Sequence, residues 1–133
     1  MSSITYKINF PLNVEEIIMI YDDSGLRRPT KDKVRIKKMF DNSNLVISAW
    51  NKDELVGISR ALTDFSYCCY LSDLAVKKKF QKCGIGKELI RITKEQIGEN
   101  SMLLLLSAPE AMEYYPKIGM EKAGNGFFIK REK

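Results

Sequence analysis

The sequence predicts an α/β (α+β) fold built on one mixed sheet, and three observations carry that expectation. From Tyr67 to Leu106 a long strand-like run, a basic glycine turn, an amphipathic helix and a short apolar run follow one another, the order of a βαβ unit. Upstream, Leu45–Trp50 and Glu54–Leu62 are separated by Asn51-Lys52-Asp53, the spacing of a hairpin. Finally, 133 residues with 44% apolar and 29% charged content, and no linker or repeat, describe a single domain over residues 1–133.

Each element has a local reason. Ile4–Phe10 alternates apolar and polar residues and closes at Pro11, so it reads as a first strand. Asn13 is placed to cap a helix to about Tyr21, with Val14, Ile17, Ile18 and Tyr21 on one face. Glu15 and Glu16 fall in its first turn, where the helix dipole favours acids. SGLRRPT is a loop, after which Thr30 is placed to cap a second helix. Val34, Met39 and Phe40 give that helix a patchy apolar face until DNSN ends it. The hairpin follows, and Thr63–Ser66 leads into a long strand, Tyr67–Val76. Beyond the glycine turn a helix runs from about Gly84 to Ile97, with Leu89, Ile90, Thr93 and Ile97 inward and Gly98 as its stop. Met102–Leu106 is wholly apolar, which suits a strand buried on both faces. Pro109 opens a last helix to about Ile118, Gly119 ends it, and Phe127–Lys130 is expected to return as a final strand.

Composition excludes several chemistries. With no histidine, His-based triads and His-containing zinc sites are ruled out. Cys68, Cys69 and Cys83 form no CxxC pair, and their odd number argues against a disulfide framework. MSSITYKINF lacks the long apolar core of a secretion signal, and no run approaches the ~18 apolar residues of a membrane span. A cytoplasmic address is the expectation. The net charge is +5, yet Lys77–Lys94 alone carries +6 and the rest of the chain −1. The excess positive charge sits around one glycine turn.

A glycine turn between strand and helix aims backbone N–H groups one way, and the helix N-terminus adds positive potential, so the pair suits a phosphate. The spacing GxxxxGK followed by Ser or Thr is absent, and a dinucleotide fingerprint fails because Leu89 stands where its third glycine is needed. Gln81, Gly84 and Gly86 instead form Gln-x-x-Gly-x-Gly, preceded by Asp73-Leu74-Ala75-Val76. Downstream, AMEYYPKIGM holds Ala111, Tyr115, Lys117 and Gly119. Together these motifs resemble those of the Gcn5-related N-acetyltransferase (GNAT) superfamily, with Met120 replacing that family's usual Phe.

The resemblance implies a GNAT-like fold, a mixed and mostly antiparallel sheet of about six to seven strands flanked by about four helices. It implies acetyl-CoA as cofactor, its pyrophosphate held by the loop of Gln81, Lys82, Cys83, Gly84, Ile85, Gly86 and Lys87. The pantetheine arm is expected along Leu74, Ala75 and Val76, with the N–H near Leu74 facing the thioester oxygen. CoA carries roughly four negative charges, which the basic cluster matches. Tyr115 matches the family's general acid: a phenol of pKa about 10 can protonate a thiolate of pKa about 8.5 when the two are in contact. Tyr114 is its rival. Asp73 is the expected base, with Asp64 second; the alternative is that either binds a cationic acceptor or directs water to deprotonate it. Arg27 and Arg28 either meet a carboxylate or phosphate on the acceptor or face water, the more frequent outcome, and Trp50 is expected to pack, with lining of the acceptor pocket as its alternative. Direct transfer needs no thiol, so Cys83 is expected to be a spectator in the chemistry.

The implied function is acetyl transfer from acetyl-CoA to a primary amine in a ternary complex. The acceptor is a small molecule or a protein amine, with no nucleic acid and no membrane, and a homodimer left open. Two alternatives remain at this stage: a catalytically idle acetyl-CoA sensor, and a nucleic-acid module using the Lys77–Lys94 patch. The second lacks interleaved aromatic residues.

Overall fold

A computed structural model describes residues 3–133; Met1 and Ser2, which open the N-terminal stretch judged not to be a secretion signal, lie outside it. The elements are β1 (Thr5–Ile8), α1 (Val14–Ser24), α2 (Lys33–Asp41), β2 (Leu45–Asn51), β3 (Glu54–Thr63), β4 (Cys68–Val76), α3 (Ile85–Ile97), β5 (Met102–Leu104) and α4 (Tyr114–Lys117). The sheet runs β1-β2-β3-β4-β5, antiparallel throughout except for the parallel β4–β5 pair across the α3 crossover. Among the described residues no helix is long and apolar enough to cross a membrane.

Asn13 caps α1 as expected, its side chain accepting from the Glu15 amide at 2.9 Å. The cap of α2 is Asp32 rather than Thr30, because the Thr30 hydroxyl donates to Asp22 Oδ1 at 2.6 Å and is thereby occupied. Ile36 is the buried anchor of α2, and Val34 faces solvent. In α3 the inward set is Ile85, Leu89, Ile92, Thr93 and Ile97, with Ile90 half-buried.

The C-terminal part departs most from expectation. Among the described residues the sheet has five strands, not six or seven, because residues 127–130 find no strand neighbour and leave Phe127, Phe128 and Ile129 exposed. Met102–Leu106 pairs only over three residues at the sheet edge, so Met102, Leu104 and Leu106 are exposed instead of buried. The long helix expected from Pro109 breaks into a single 3-10 turn, Pro109–Ala111, and the short α4. Pro116 within α4 has no N–H to extend a ladder, and Gly119, at φ 95°, turns the chain away.

Two cores lie on opposite faces of the sheet. Leu45, Ile47, Val56 and Cys69 pack against Ile85, Leu89, Ile92 and Ile97 of α3. On the other face Ile17, Ile20, Tyr21 and Ile36 pack against Trp50, Ile58 and Ala75. Strand β4 serves both cores through a bulge: Arg60 pairs with Asp73 and Ala61 with Leu71, so Ser72 is an extra residue without a partner on β3. On its other edge β4 pairs with β5 only over Cys68–Tyr70. Beyond Tyr70 the two strands part, and among the described residues the edge of β4 from Leu71 to Val76 has no strand neighbour. That parting makes the cleft.

Candidate active site

The cleft, about 350 Å³, lies between the free edge of β4 and the chain after β5. Leu74, Ala75, Val76 and Gln81 line one side, Leu105, Leu106 and Tyr115 the other, and Arg28 closes the end near α1. A larger hollow of about 840 Å³ on the outer face of α3 is walled by Lys87, Glu88, Arg91, Lys94 and Glu95 and holds none of the β4 motif. Of the residues singled out from the sequence, the smaller cleft gathers Arg28, Leu74, Ala75, Val76, Gln81 and Tyr115, while Gly84 and Lys87 face the larger hollow.

At its mouth the glycine turn is built to leave donors open. Lys82 and Gly84 sit in the left-handed region at φ 63° and 84°, and α3 starts at Ile85 with no side chain capping its first amides. Left-handed residues on either side of Cys83, just before an uncapped helix, leave N–H groups open to anionic oxygens. Gln81 fixes the turn by donating from Nε2 to the Val76 carbonyl at 2.9 Å. Gly86 has a different reason: a Cβ there would stand 2.9 Å from the Tyr114 hydroxyl, so a larger residue would push the end of that side chain aside. Cys83 is exposed, with Sγ 3.5 Å from the Gln81 carbonyl.

The basic cluster is less open than its count suggests. Lys77 and Lys79 pair with Glu54, Arg91 with Glu88 and Glu95, and Lys94 donates to the Gly98 carbonyl. Among the described residues Lys78, Lys82 and Lys87 keep no ion pair. Two of the three, Lys82 and Lys87, belong to the glycine turn and the first helical turn.

The two tyrosines of α4 point to different places. Tyr115 is half-buried and lines the cleft; Tyr114 lays its hydroxyl on Gly86. Their rings meet edge to face at 5.2 Å between centroids. Burial raises both phenols above their ordinary pKa, and Tyr114 adds to the rise at Tyr115, so each keeps its proton at neutral pH.

Asp73 corrects the sequence reading. It is completely buried, and both carboxylate oxygens are saturated. Oδ1 accepts from Arg28 Nε at 2.6 Å and Ser72 Oγ at 3.1 Å; Oδ2 accepts from Arg60 Nε at 2.6 Å and the Tyr21 hydroxyl at 2.8 Å. Burial pushes this carboxyl up, but the bonds and charges of Arg60 and Arg28 outweigh it and hold the group below the ordinary carboxylate range. An ionised, four-bonded carboxylate away from solvent has no site for an amine proton. Asp64 is not at the cleft either: its Oδ1 accepts from the Ser66, Tyr67 and Cys68 amides, which lower it to about 2. Trp50 is a core residue of the α1–α2 face, its Nε1 donating to Ser48 Oγ at 2.8 Å.

Arg28 does reach the cleft, as expected, but with Asp73 as its partner. Tyr21 and Arg60 were missed, and their signal was faint: a lone tyrosine on an apolar helix face and an arginine within an otherwise apolar strand. Glu110 was missed as well. It is the one carboxylate among the residues lining the cleft.

A family model described as an acetyltransferase (GNAT) domain matches residues 21–130. The uncharacterised N-acetyltransferase ycf52 of Pyropia yezoensis is 30% identical over 125 residues, covering 89% of this chain and 70% of that protein. A GNAT family acetyltransferase of Streptococcus pneumoniae superposes with a TM-score of 0.78 at 21% identity, over 98% of this chain and 100% of the other. The aminoglycoside N-acetyltransferase AAC(6')-Iy, solved with CoA, superposes with a TM-score of 0.73 at 14% identity, over 100% of this chain and 97% of the other. At these identities the two structures speak for the fold.

Proposed function

Since the chain belongs to the GNAT acetyltransferase family, we propose that residues 1–133 act as one domain moving an acetyl group from acetyl-CoA to a primary amine by direct transfer in a ternary complex. One observation supports this most: the free edge of β4 leads, through residues 77–84 and their 3-10 turn at Lys78–Phe80, to an uncapped, glycine-opened helix start, and Tyr115 lines the cleft along that edge. A strand edge without a neighbour suits an extended amide-bearing arm, and the open amides at Ile85, Gly86 and Lys87 suit a pyrophosphate. Residues 74–76 and 81–87 therefore fit the cofactor, with Lys82 and Lys87 adding charge. When bound, acetyl-CoA supplies an activated acetyl thioester.

This chain's residues do the rest. Tyr115 holds its proton at Oη and delivers it to the departing sulfur. Leu74 offers its main chain to the carbonyl oxygen. Asp73, already ionised and bonded, takes no proton and instead fixes Arg28. Glu110 is the carboxylate at the cleft able to receive the amine proton, directly or through water.

Thermal unfolding tests the cofactor half. Acetyl-CoA and CoA should both raise the melting temperature, since they bind only the folded chain. Thiol release with a panel of primary amines tests the reaction. A melting temperature indifferent to both ligands sinks the reading; binding without turnover of any amine would make the chain a sensor.

A further inference from the structure

The proposed transferase activity leaves the acceptor unnamed, and the charges of the cleft narrow it. Arg28, Arg60, Asp73 and Tyr21 form one buried cluster. Two guanidinium groups share a single carboxylate, and Tyr21 stays neutral because burial, then Asp73, raises its phenol far above the ordinary value. The cluster therefore carries a net positive charge. That charge has one outlet: side-chain exposure is 26% at Arg28, 9% at Arg60 and zero at Asp73. Arg28 is also the one cation among the residues lining the cleft.

Arg28 is held in place with donors to spare. Nε donates to Asp73 Oδ1 at 2.6 Å, Nη1 to the Arg27 carbonyl at 2.6 Å and Nη2 to the Ser72 carbonyl at 2.8 Å. A guanidinium has five N–H groups, so two remain after these three bonds. A planar cation locked by its neighbours, with two free N–H groups at a cleft, is pre-organised for an anionic oxygen group. Glu110, the other charged lining residue, has the sign that attracts an ammonium. The cleft also has to hold the cofactor's arm beside the acceptor, and about 350 Å³ lies near the small end of ligand sites.

We propose that the acceptor is a small primary amine that also carries a carboxylate or phosphate group, that Arg28 binds this group, and that Asp73 is the positioning residue holding Arg28 ready. The inference rests on the acetyltransferase reading. Polycationic amines are poor acceptors in this scheme, because Arg28 repels them.

The test compares matched amines by thiol release at saturating acetyl-CoA: phosphoethanolamine with ethanolamine, β-alanine with propylamine, and sisomicin as a polycation. The anionic member of each pair should show a kcat/KM about 10- to 150-fold higher, the range of a hydrogen bond to a charged group. The gain should appear in KM rather than kcat. Arg28→Gln should erase the preference, so that the two members of each pair react at equal rates, and Arg28→Lys should restore part of it. Equal rates within pairs, faster turnover of sisomicin, or a preference that survives Arg28→Gln overturns the proposal. If no amine reacts, the CoA complex decides by melting temperature: N-acetyl-β-alanine should raise it through Arg28 and N-propylacetamide should not. Absence of that difference overturns the proposal too. Failure to bind acetyl-CoA at all would instead remove the acetyltransferase reading itself.

Discussion

The glycine turn and the bulge of β4, at the two ends of the free strand edge, are built by opposite means. At the glycine turn the polar groups are left open, with an uncapped helix start, two left-handed residues and two unpaired lysines. At the bulge of β4 the polar groups are closed on one another, and Asp73 accepts four hydrogen bonds in complete burial. The first is a receptor awaiting a ligand that brings its own charge. The second is a rigid support, complete before any ligand arrives. Substitutions at the turn should therefore act on binding and spare the fold, whereas those at Asp73 should act on the fold first.

The largest effect expected from this contrast is at Asp73. Asp73→Ala leaves Arg60 buried without its carboxylate, and breaking such a pair costs on the order of 3–5 kcal/mol, measurable by urea unfolding. The pH dependence has a definite sign. The native carboxyl lies below its unfolded value, so its stabilisation is present above the ordinary aspartate range and is lost as the pH falls through the native value. Asp73→Asn should make that acid limb shallower. If Asp73→Asn were stable and merely slow at low pH, the carboxylate would be a base after all.

Next comes Tyr115. Phe keeps the ring but removes the proton, so kcat should fall on the order of 10²-fold with cofactor affinity little changed. Tyr114→Phe, on the Gly86 side, should lose a few-fold at most; if the two mutants exchange behaviour, the acid sits at the turn and not in the cleft. Gly84→Asp should give the smallest change in the fold. It sets a carboxylate against the anion site and should abolish the rise in melting temperature with acetyl-CoA while unfolding within about 1–2 kcal/mol of the parent, the penalty of a left-handed residue. Undiminished ligand stabilisation in that variant would move the phosphate site elsewhere.

The same contrast explains what the sequence made legible. An open site advertises itself: Gln81, Gly84 and Gly86 are local, closely spaced and few, so the turn, its helix and the strand before it could be read directly. The closed wall joins Tyr21, Arg28, Arg60 and Asp73 across four segments of the chain, and its partners are set by a bulge that no residue type at Ser72 announces. Asp73 thus read as a free carboxylate on a useful strand, when two arginines had already claimed it. Asp64 misled for a related reason, since an Asp followed by Phe-Ser-Tyr also makes an ordinary turn cap. At the C-terminal end, Met102–Leu106 looked buried because composition reports apolarity and not which strand lies at an edge.

The extra residue at Ser72 also determines how tolerant β4 is of changes in length. Along a strand, odd and even positions belong to different layers, and here that parity inverts once, part-way along. Cys69 serves the α3 layer before the inversion and Leu74 and Val76 serve it afterwards, which frees Asp73 and Ala75 for the opposite layer. Deleting Ser72 would restore uniform counting and leave every side chain in its layer, Asp73 toward Arg60 and Leu74 toward α3; the loss would be the Ser72 hydroxyl, which meets Arg60 and Asp73. Closing the bulge with Ser72 kept, so that it stood opposite Arg60, would instead turn Asp73 toward the α3 layer with no partner for its charge and Leu74 toward two arginines. One residue of slack in β4 is thus what keeps both layers correctly assigned.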